Sequence, residues 1–138
     1  MNYNVQLDQG ALMPTTAHDA DAGYDIRTPV TFAIGAGASI VIETGVHIQI
    51  PKGYVGMIKS KSGLNVNYGI ISEGVVDSGY TGEIKVKLYN LSNQTRYFMR
   101  GDKITQIVFI PHEKPELIEV SRLEDTERGN GGFGSTGR

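Results

Sequence analysis

Glu83-Ile84-Lys85-Val86-Lys87-Leu88-Tyr89 alternates polar with apolar residues from Glu83 to Leu88, with Tyr89 next on the polar face. A side-chain period of two puts Ile84, Val86 and Leu88 on one face of a β-strand and the lysines on the other. Outward from this stretch, Val30-Thr31-Phe32-Ala33-Ile34, Val46-His47-Ile48-Gln49-Ile50, Tyr54-Val55-Gly56-Met57-Ile58, Ile70 to Val76, and Ile104 to Ile110 read as further strands. No segment carries an extended stripe at the helical period, and a single short helix is expected near Ser62. Many short strands at a spacing of about 8–12 residues, separated by Gly, Pro, Asn and Asp, imply an all-β sandwich, jelly roll or barrel. Ser72 to Leu88 reads as a hairpin with Asp77-Ser78-Gly79-Tyr80-Thr81-Gly82 as its loop.

With 138 residues the chain has the length of one domain. Thirteen basic against fifteen acidic residues give a net charge of −2, and the basic residues are dispersed, so a nucleic-acid partner is not expected. The absence of cysteine excludes disulfides, thiolate metal sites and a thiol nucleophile. The longest uncharged stretch, Thr28 to Ile42, is interrupted by Pro29, Gly35 and Gly37 and falls short of the ~20 apolar residues that cross a bilayer. The first residues lack the basic and apolar segments of a secretory signal, so the expected compartment is the cytoplasm, with no membrane partner.

Five of the 18 glycines lie between Gly129 and Gly137. Residues 1–126 are therefore read as the folded domain and residues 127–138 as a mobile C-terminal arm, since glycine carries a large unfolded-state entropy. An aromatic among glycines, followed by Ser135-Thr136 and bracketed by Arg128 and Arg138, suits a flap that closes over an anion better than a bare linker. Gly129-Asn130-Gly131-Gly132-Phe133-Gly134 matches the dinucleotide fingerprint in letters, but the chain ends four residues later and leaves no room for the helix that mechanism needs. Arg100-Gly101-Asp102 reads as a strand-entry turn. His18, His47 and His112 are too scattered to suggest a zinc site.

Five segments combine polar side chains with glycine: Ala22-Gly23-Tyr24-Asp25-Ile26, Lys59-Ser60-Lys61-Ser62-Gly63-Leu64, Gly74-Val75-Val76-Asp77-Ser78-Gly79-Tyr80-Thr81-Gly82, Arg100-Gly101-Asp102-Lys103-Ile104-Thr105-Gln106, and Arg128 to Gly137. Their order and spacing resemble the five motifs of the homotrimeric dUTP pyrophosphatases (dUTPases), over most of the chain from Asp21 to Gly137. The resemblance implies a distorted jelly roll of the dUTPase β-clip type, assembled as a homotrimer with active sites between subunits. It also implies cleavage of dUTP to dUMP and diphosphate with Mg²⁺.

On this resemblance Asp77 is the general base that activates a water against the α-phosphorus. Tyr80 lies against the deoxyribose and excludes a 2′-hydroxyl, while the backbone of Gly74, Val75 and Val76 reads the uracil edge. Lys61, Ser62 and Gly63 supply an ammonium, a hydroxyl and an unhindered N–H to the phosphates, with lysine where the family usually has arginine. Asp25 matches the aspartate that contacts magnesium-bound water, and Gln106 the glutamine near the phosphates. In the arm, Phe133 stacks on uracil, Arg128 pairs with the terminal phosphate, Ser135 and Thr136 donate to phosphate oxygens, and Gly134 is a further substrate-binding residue. Without the resemblance, an Asp in a hairpin loop is a turn former, and Lys59 with Lys61 is a basic surface turn.

Two alternatives stand beside this reading. The related dCTP deaminases share the fold and carry a catalytic glutamate before an apolar-Tyr-Asn ending; here Leu88-Tyr89-Asn90 matches the ending, but Lys87 occupies the glutamate position. A non-catalytic trimeric interaction or regulatory module is the other, and retention of Asp77, Tyr80 and the whole tail argues against it.

Overall fold

The computed structural model describes residues 1–137. The alternating stretch is a strand with the expected inside and outside: Ile84, Val86, Leu88 and Asn90 are buried, and Lys85, Lys87 and Tyr89 are exposed. The chain forms ten strands and one helix: β1 (Asn4–Leu7), β2 (Tyr24–Arg27), β3 (Phe32–Ile34), β4 (Ser39–Glu43), β5 (Val46–Gln49), β6 (Tyr54–Lys59), α1 (Ser62–Tyr68), β7 (Ile70–Val76), β8 (Lys85–Asn90), β9 (Arg96–Phe98) and β10 (Lys103–Pro111). All pairings are antiparallel. A six-stranded sheet runs β2-β10-β6-β7-β8-β4, and β1-β5 and β3-β9 form two-stranded sheets. Together they make a distorted jelly roll whose core is dominated by isoleucine, valine and leucine, residues that pack well on a pleated surface.

Four strands, β1, β2, β4 and β9, were not legible as strands in the sequence. Each has only three to five residues, and β2 lies inside a polar, glycine-containing motif. The expected hairpin is also only partly formed. Ser72 pairs with Leu88, but this ladder covers only Ile70 to Ser72; from Glu73 to Val76, β7 pairs with β6 instead. The two limbs diverge there, and Asp77 to Ile84 bridges the gap as an open loop rather than a tight hairpin turn. β10 departs from simple alternation as well. Its register against β2 shifts between Lys103 and Thr105, so that Ile104 and Thr105 are both buried, as happens at a β-bulge.

Arg100-Gly101-Asp102 is a turn: Gly101 has φ 94°, the Asp102 N–H donates to the Met99 carbonyl, and the Met99 N–H donates to the Asp102 carboxylate at 2.8 Å. Past β10 the chain leaves the sheets. Residues 112–121 form no strand, Leu117, Ile118 and Leu123 are strongly exposed, and Gly129 to Gly137 form successive turns bonded within the segment. Arg138, the second arginine that brackets the tail, lies outside the described residues. No helix among the described residues is long and apolar enough to cross a membrane.

Asn90 ends β8 fully buried. The two N–H groups of its Nδ2 donate, one to the Gln94 carbonyl and one shared between the Ile34 and Gly35 carbonyls, at 2.8–3.1 Å, and its Oδ1 accepts from the N–H and hydroxyl of Ser92. One amide thus joins the end of β3 to the turn before β9. Asn90→Ala removes every one of these bonds and leaves buried carbonyls unpaired, so chemical denaturation should show a loss of at least about 2 kcal/mol. A loss below about 0.5 kcal/mol would show that the surrounding backbone satisfies itself.

Candidate active site

The fold brings Asp25, Lys61 and Gln106 to one end of the central sheet. Asp25 on β2 faces Gln106 on β10, and Gln106 faces Lys59 at the end of β6. Asp25 is 4% exposed and lies between two cations, ion-paired to the Nζ of Lys61 and to the Nζ of Lys103, the latter at 3.2 Å. Burial pushes its carboxyl upward, but the hydrogen bonds and charges of Lys61 and Lys103 together outweigh this, and its pKa falls below the ordinary value. The two lysines thus favour its ionised form despite the burial. Lys103 lies in the fourth motif but was not singled out in the sequence, because only proximity in the fold makes it a partner of Asp25.

A buried chain of hydroxyls holds the turn that carries Lys61. The Thr105 Oγ1–H donates to the Lys59 carbonyl at 2.9 Å, leaving the Ser72 hydroxyl to donate to Thr105 Oγ1 at 2.6 Å. Ser60 donates to the Ser72 carbonyl at 3.1 Å and accepts from the Ser72 N–H at 2.9 Å. Gln106 Nε2 donates to the Ser60 carbonyl at 2.9 Å. Gly23 makes room for this arrangement, since a Cβ there would sit 2.6 Å from Gln106 Oε1. The bulge in β10 is what directs Thr105 inward. No sequence pattern exposed this network, because Ser60, Ser72 and Thr105 are ordinary polar residues until three strands are juxtaposed.

The helix begins at Ser62, as the sequence suggested, with Lys61 as its N-cap residue and no side-chain capping bond. Ser62 and Gly63 are exposed, no acidic residue lies in the first turn, and nothing within 4 Å would meet a Cβ on Gly63. The turn thus offers a hydroxyl and backbone N–H groups to solvent beside a lysine.

A second group lies on the Asp77 loop. Asp77 follows β7 directly and is exposed; the Tyr80 N–H donates to its carbonyl at 3.2 Å, with Gly79 at φ 84° closing the turn. The Tyr80 hydroxyl donates to the Glu83 carbonyl at 2.6 Å, and its ring lies so close to Gly82 that a Cβ there would approach ring atoms within 2.6 Å. The ring is fixed at its polar tip and on one side while nearly half its surface stays open. Gly74 and Val75 lead into this loop on β7, Val75 exposed and Val76 turned into the core.

The tail forms the third group. Arg128 Nε donates to the Gly131 carbonyl, Phe133 is fully exposed at φ 48°, and Ser135 and Thr136 are exposed. Among the described residues, no hydrogen bond or ion pair links this tail to either of the other groups.

Within one chain the first two groups are held apart. Val76 pairs with Gly56 and Glu73 with Lys59, so Asp77 leaves one end of the β6-β7 ladder while Ser60 and Lys61 leave the other. Three residue steps at ~3.3 Å put about 10 Å between those ends before either turn is added.

These features find counterparts in known proteins. A family model described as dUTPase matches residues 9–137. A deoxyuridine 5'-triphosphate nucleotidohydrolase of Mycolicibacterium gilvum is 43% identical, covering 96% of this chain and 92% of its own. One from Paramecium bursaria Chlorella virus 1 is 40% identical, covering 96% and 94%. Among solved structures, a mutant dUTPase of Staphylococcus bacteriophage 80alpha with dUpNHpp superposes with a TM-score of 0.92 at 29% identity, covering 99% of both chains. A mutant dUTPase from phage phi11 of S. aureus, described with a structural Mg(II) ion, superposes with a TM-score of 0.84 at 29% identity, covering 91% of this chain and 100% of that one. With the model match spanning nearly its whole length, the chain belongs to the dUTPase family.

Proposed function

We propose that the chain hydrolyses dUTP to dUMP and diphosphate with Asp77 as the general base. The observation that carries this reading is the loop itself: an exposed carboxylate one residue past β7, followed by a tyrosine ring immobilised against Gly82 and Glu83. The Asp77 carboxylate takes a proton from a water as its oxygen bonds to the α-phosphorus; the bond from that phosphorus to the bridging oxygen breaks, and diphosphate leaves. The open face of Tyr80 packs against the deoxyribose, where a 2′-hydroxyl would lack both space and a partner. The backbone of Gly74, Val75 and Val76, on a strand that Val76 anchors in the core, reads the uracil edge.

Lys61, Ser62, Gly63 and Gln106 serve the phosphates. Lysine brings charge without the planar fork of arginine, so its contribution is that of a point charge. Among the described residues no three His, Cys, Asp or Glu side chains gather to hold a metal. A Mg²⁺ would then be held chiefly by phosphate oxygens, and Asp25, whose ionised form is favoured, would be the carboxylate that contacts it indirectly through water. When bound, Mg²⁺ neutralises charge on the triphosphate.

The separation along the β6-β7 ladder supports a site shared between copies in a homotrimer, Asp77 from one and the Lys61 turn from another. Residues 127–138 act as the arm that closes over the nucleotide, Phe133 on uracil and Arg128, Gly134, Ser135 and Thr136 on phosphate, excluding bulk water. The arm departs from the domain at about residue 126, and cytoplasmic nucleotide is the substrate pool. A deaminating role is disfavoured at Lys87, whose side chain is exposed with Nζ 5.2 Å from the Tyr89 ring centroid.

Incubation with dUTP, dCTP, dTTP and UTP plus Mg²⁺, with diphosphate and ammonia assayed separately, should yield diphosphate from dUTP alone and no ammonia. Comparable kcat/KM for UTP would remove Tyr80 from the sugar site, and ammonia from dCTP would overturn the reaction class. Asp77→Asn preserves shape and removes basicity, so kcat should fall about 10²–10⁴-fold while dUTP still binds. Near-normal turnover by that variant would remove Asp77 from the chemistry.

A further inference from the structure

One side chain grips the Asp77 loop from outside the groups assigned to the nucleotide. His47 is the second residue of β5, opposite Gln6 of β1. Its Nδ1 lies 2.8 Å from the Thr81 carbonyl oxygen, and its Nε2 lies 3.1 Å from both carboxylate oxygens of Asp8, just past β1. A carbonyl and an ionised carboxylate have no proton to give. Both contacts are hydrogen bonds only when both ring nitrogens carry one, whereas a neutral imidazole would turn a lone pair toward one of the two oxygens.

The neighbouring residues complete a clamp. The Ile84 N–H donates to the Val46 carbonyl at 2.9 Å, and the Thr44 hydroxyl donates to the Ile84 carbonyl at 2.6 Å while accepting from the Val46 N–H. Thr44 to His47 therefore holds the returning limb of the loop at Thr81 and at Ile84. The outgoing limb is fixed where β7 pairs with β6 up to Val76. Between these anchors lie Asp77 and Tyr80.

We propose that His47, as an imidazolium bridging Asp8 and Thr81, is a positioning residue for the Asp77–Gly82 loop and so for dUTP binding. The proposal deepens the hydrolase reading and rests on it. The charged groups bearing on the ring are Asp8, on the β1 side, and Glu83, on the loop; both are acidic and both favour the cation. The bond to the Thr81 carbonyl, then that to Asp8, hold the imidazolium above its ordinary value of 6.5 against a smaller opposing effect of burial. With the folded value raised, the bridge is complete below 6.5 and is lost as pH rises through that raised value.

The test compares KM and kcat for dUTP between about pH 6 and pH 9 in the wild type, His47→Gln and Asp8→Asn, with ¹⁵N NMR of the His47 ring. Wild-type KM should rise about threefold to tenfold as the ring deprotonates, with kcat following a separate profile. That KM step should be missing in His47→Gln and displaced to lower pH in Asp8→Asn, which weakens the bridge without touching the imidazole. Should His47→Gln fail to fold, the Asp8→Asn displacement and the ring titration still decide. A neutral ring at the acidic end, or a KM profile unchanged by Asp8→Asn, overturns the proposal. A wild type that binds dUTP and leaves it intact overturns the hydrolase reading instead, and the proposal with it.

Discussion

A polar seam crosses four strands of the main sheet, and the placement of the turn that carries Lys61 depends on it. Asp25 on β2 opposes Gln106 on β10, Gln106 opposes Lys59 on β6, and Lys59 opposes Glu73 on β7. Behind this row, Ser60, Ser72 and Thr105 satisfy one another and the adjoining carbonyls. Buried polar groups are costly unless every member has a partner, so the network specifies one register for β6, β7 and β10 together. The β10 bulge is part of that specification, because a regular strand would turn Thr105 and its hydroxyl to the other face. Asp25 adds charge to the same end. Two lysines keep it ionised in a setting that by burial alone would favour its neutral form.

The opposite end of β6 and β7 is built for a different purpose. There the ladder stops, β7 and β8 diverge, and an exposed loop carries a carboxylate and a clamped tyrosine. A strand pair is stiff along its length, so these ends cannot be brought together by a small motion within one chain. On the proposed function, water activation and phosphate neutralisation fall to different ends of one rigid ladder.

Much of this was legible in the sequence, for physical reasons that differ from part to part. The Glu83–Tyr89 alternation and the strands around Val46, Tyr54, Ile70 and Ile104 were readable because one face of each meets the core. The helix start at Ser62 was readable from the turn chemistry around Gly63. The short strands β1, β2, β4 and β9 were not, because they sit among polar and turn-forming residues and their structure is imposed by pairing. The divergence of β7 from β8 was hidden because a hairpin and a strand exchange look alike in a linear pattern. Among site residues, Asp77 and Tyr80 stood out through their glycine-rich loop, and Lys61 through its motif. Lys103, Gly23, the serine-threonine chain and the partners of His47 were invisible until distant segments met.

We propose that a site shared between copies also draws Asp77 and the closing arm from different copies of the chain. It is tested most directly by co-expressing two inactive forms, Asp77→Asn with an intact tail and a chain truncated before Gly129 with Asp77 intact, and assaying the purified mixed assemblies for dUTP hydrolysis. The account predicts recovery of part of the activity, at sites where a truncated copy supplies Asp77 and the other supplies Phe133, Ser135 and Thr136. Mixed assemblies verified by mass that remain as inactive as either parent would contradict it, because every site would then take its base and its arm from one chain.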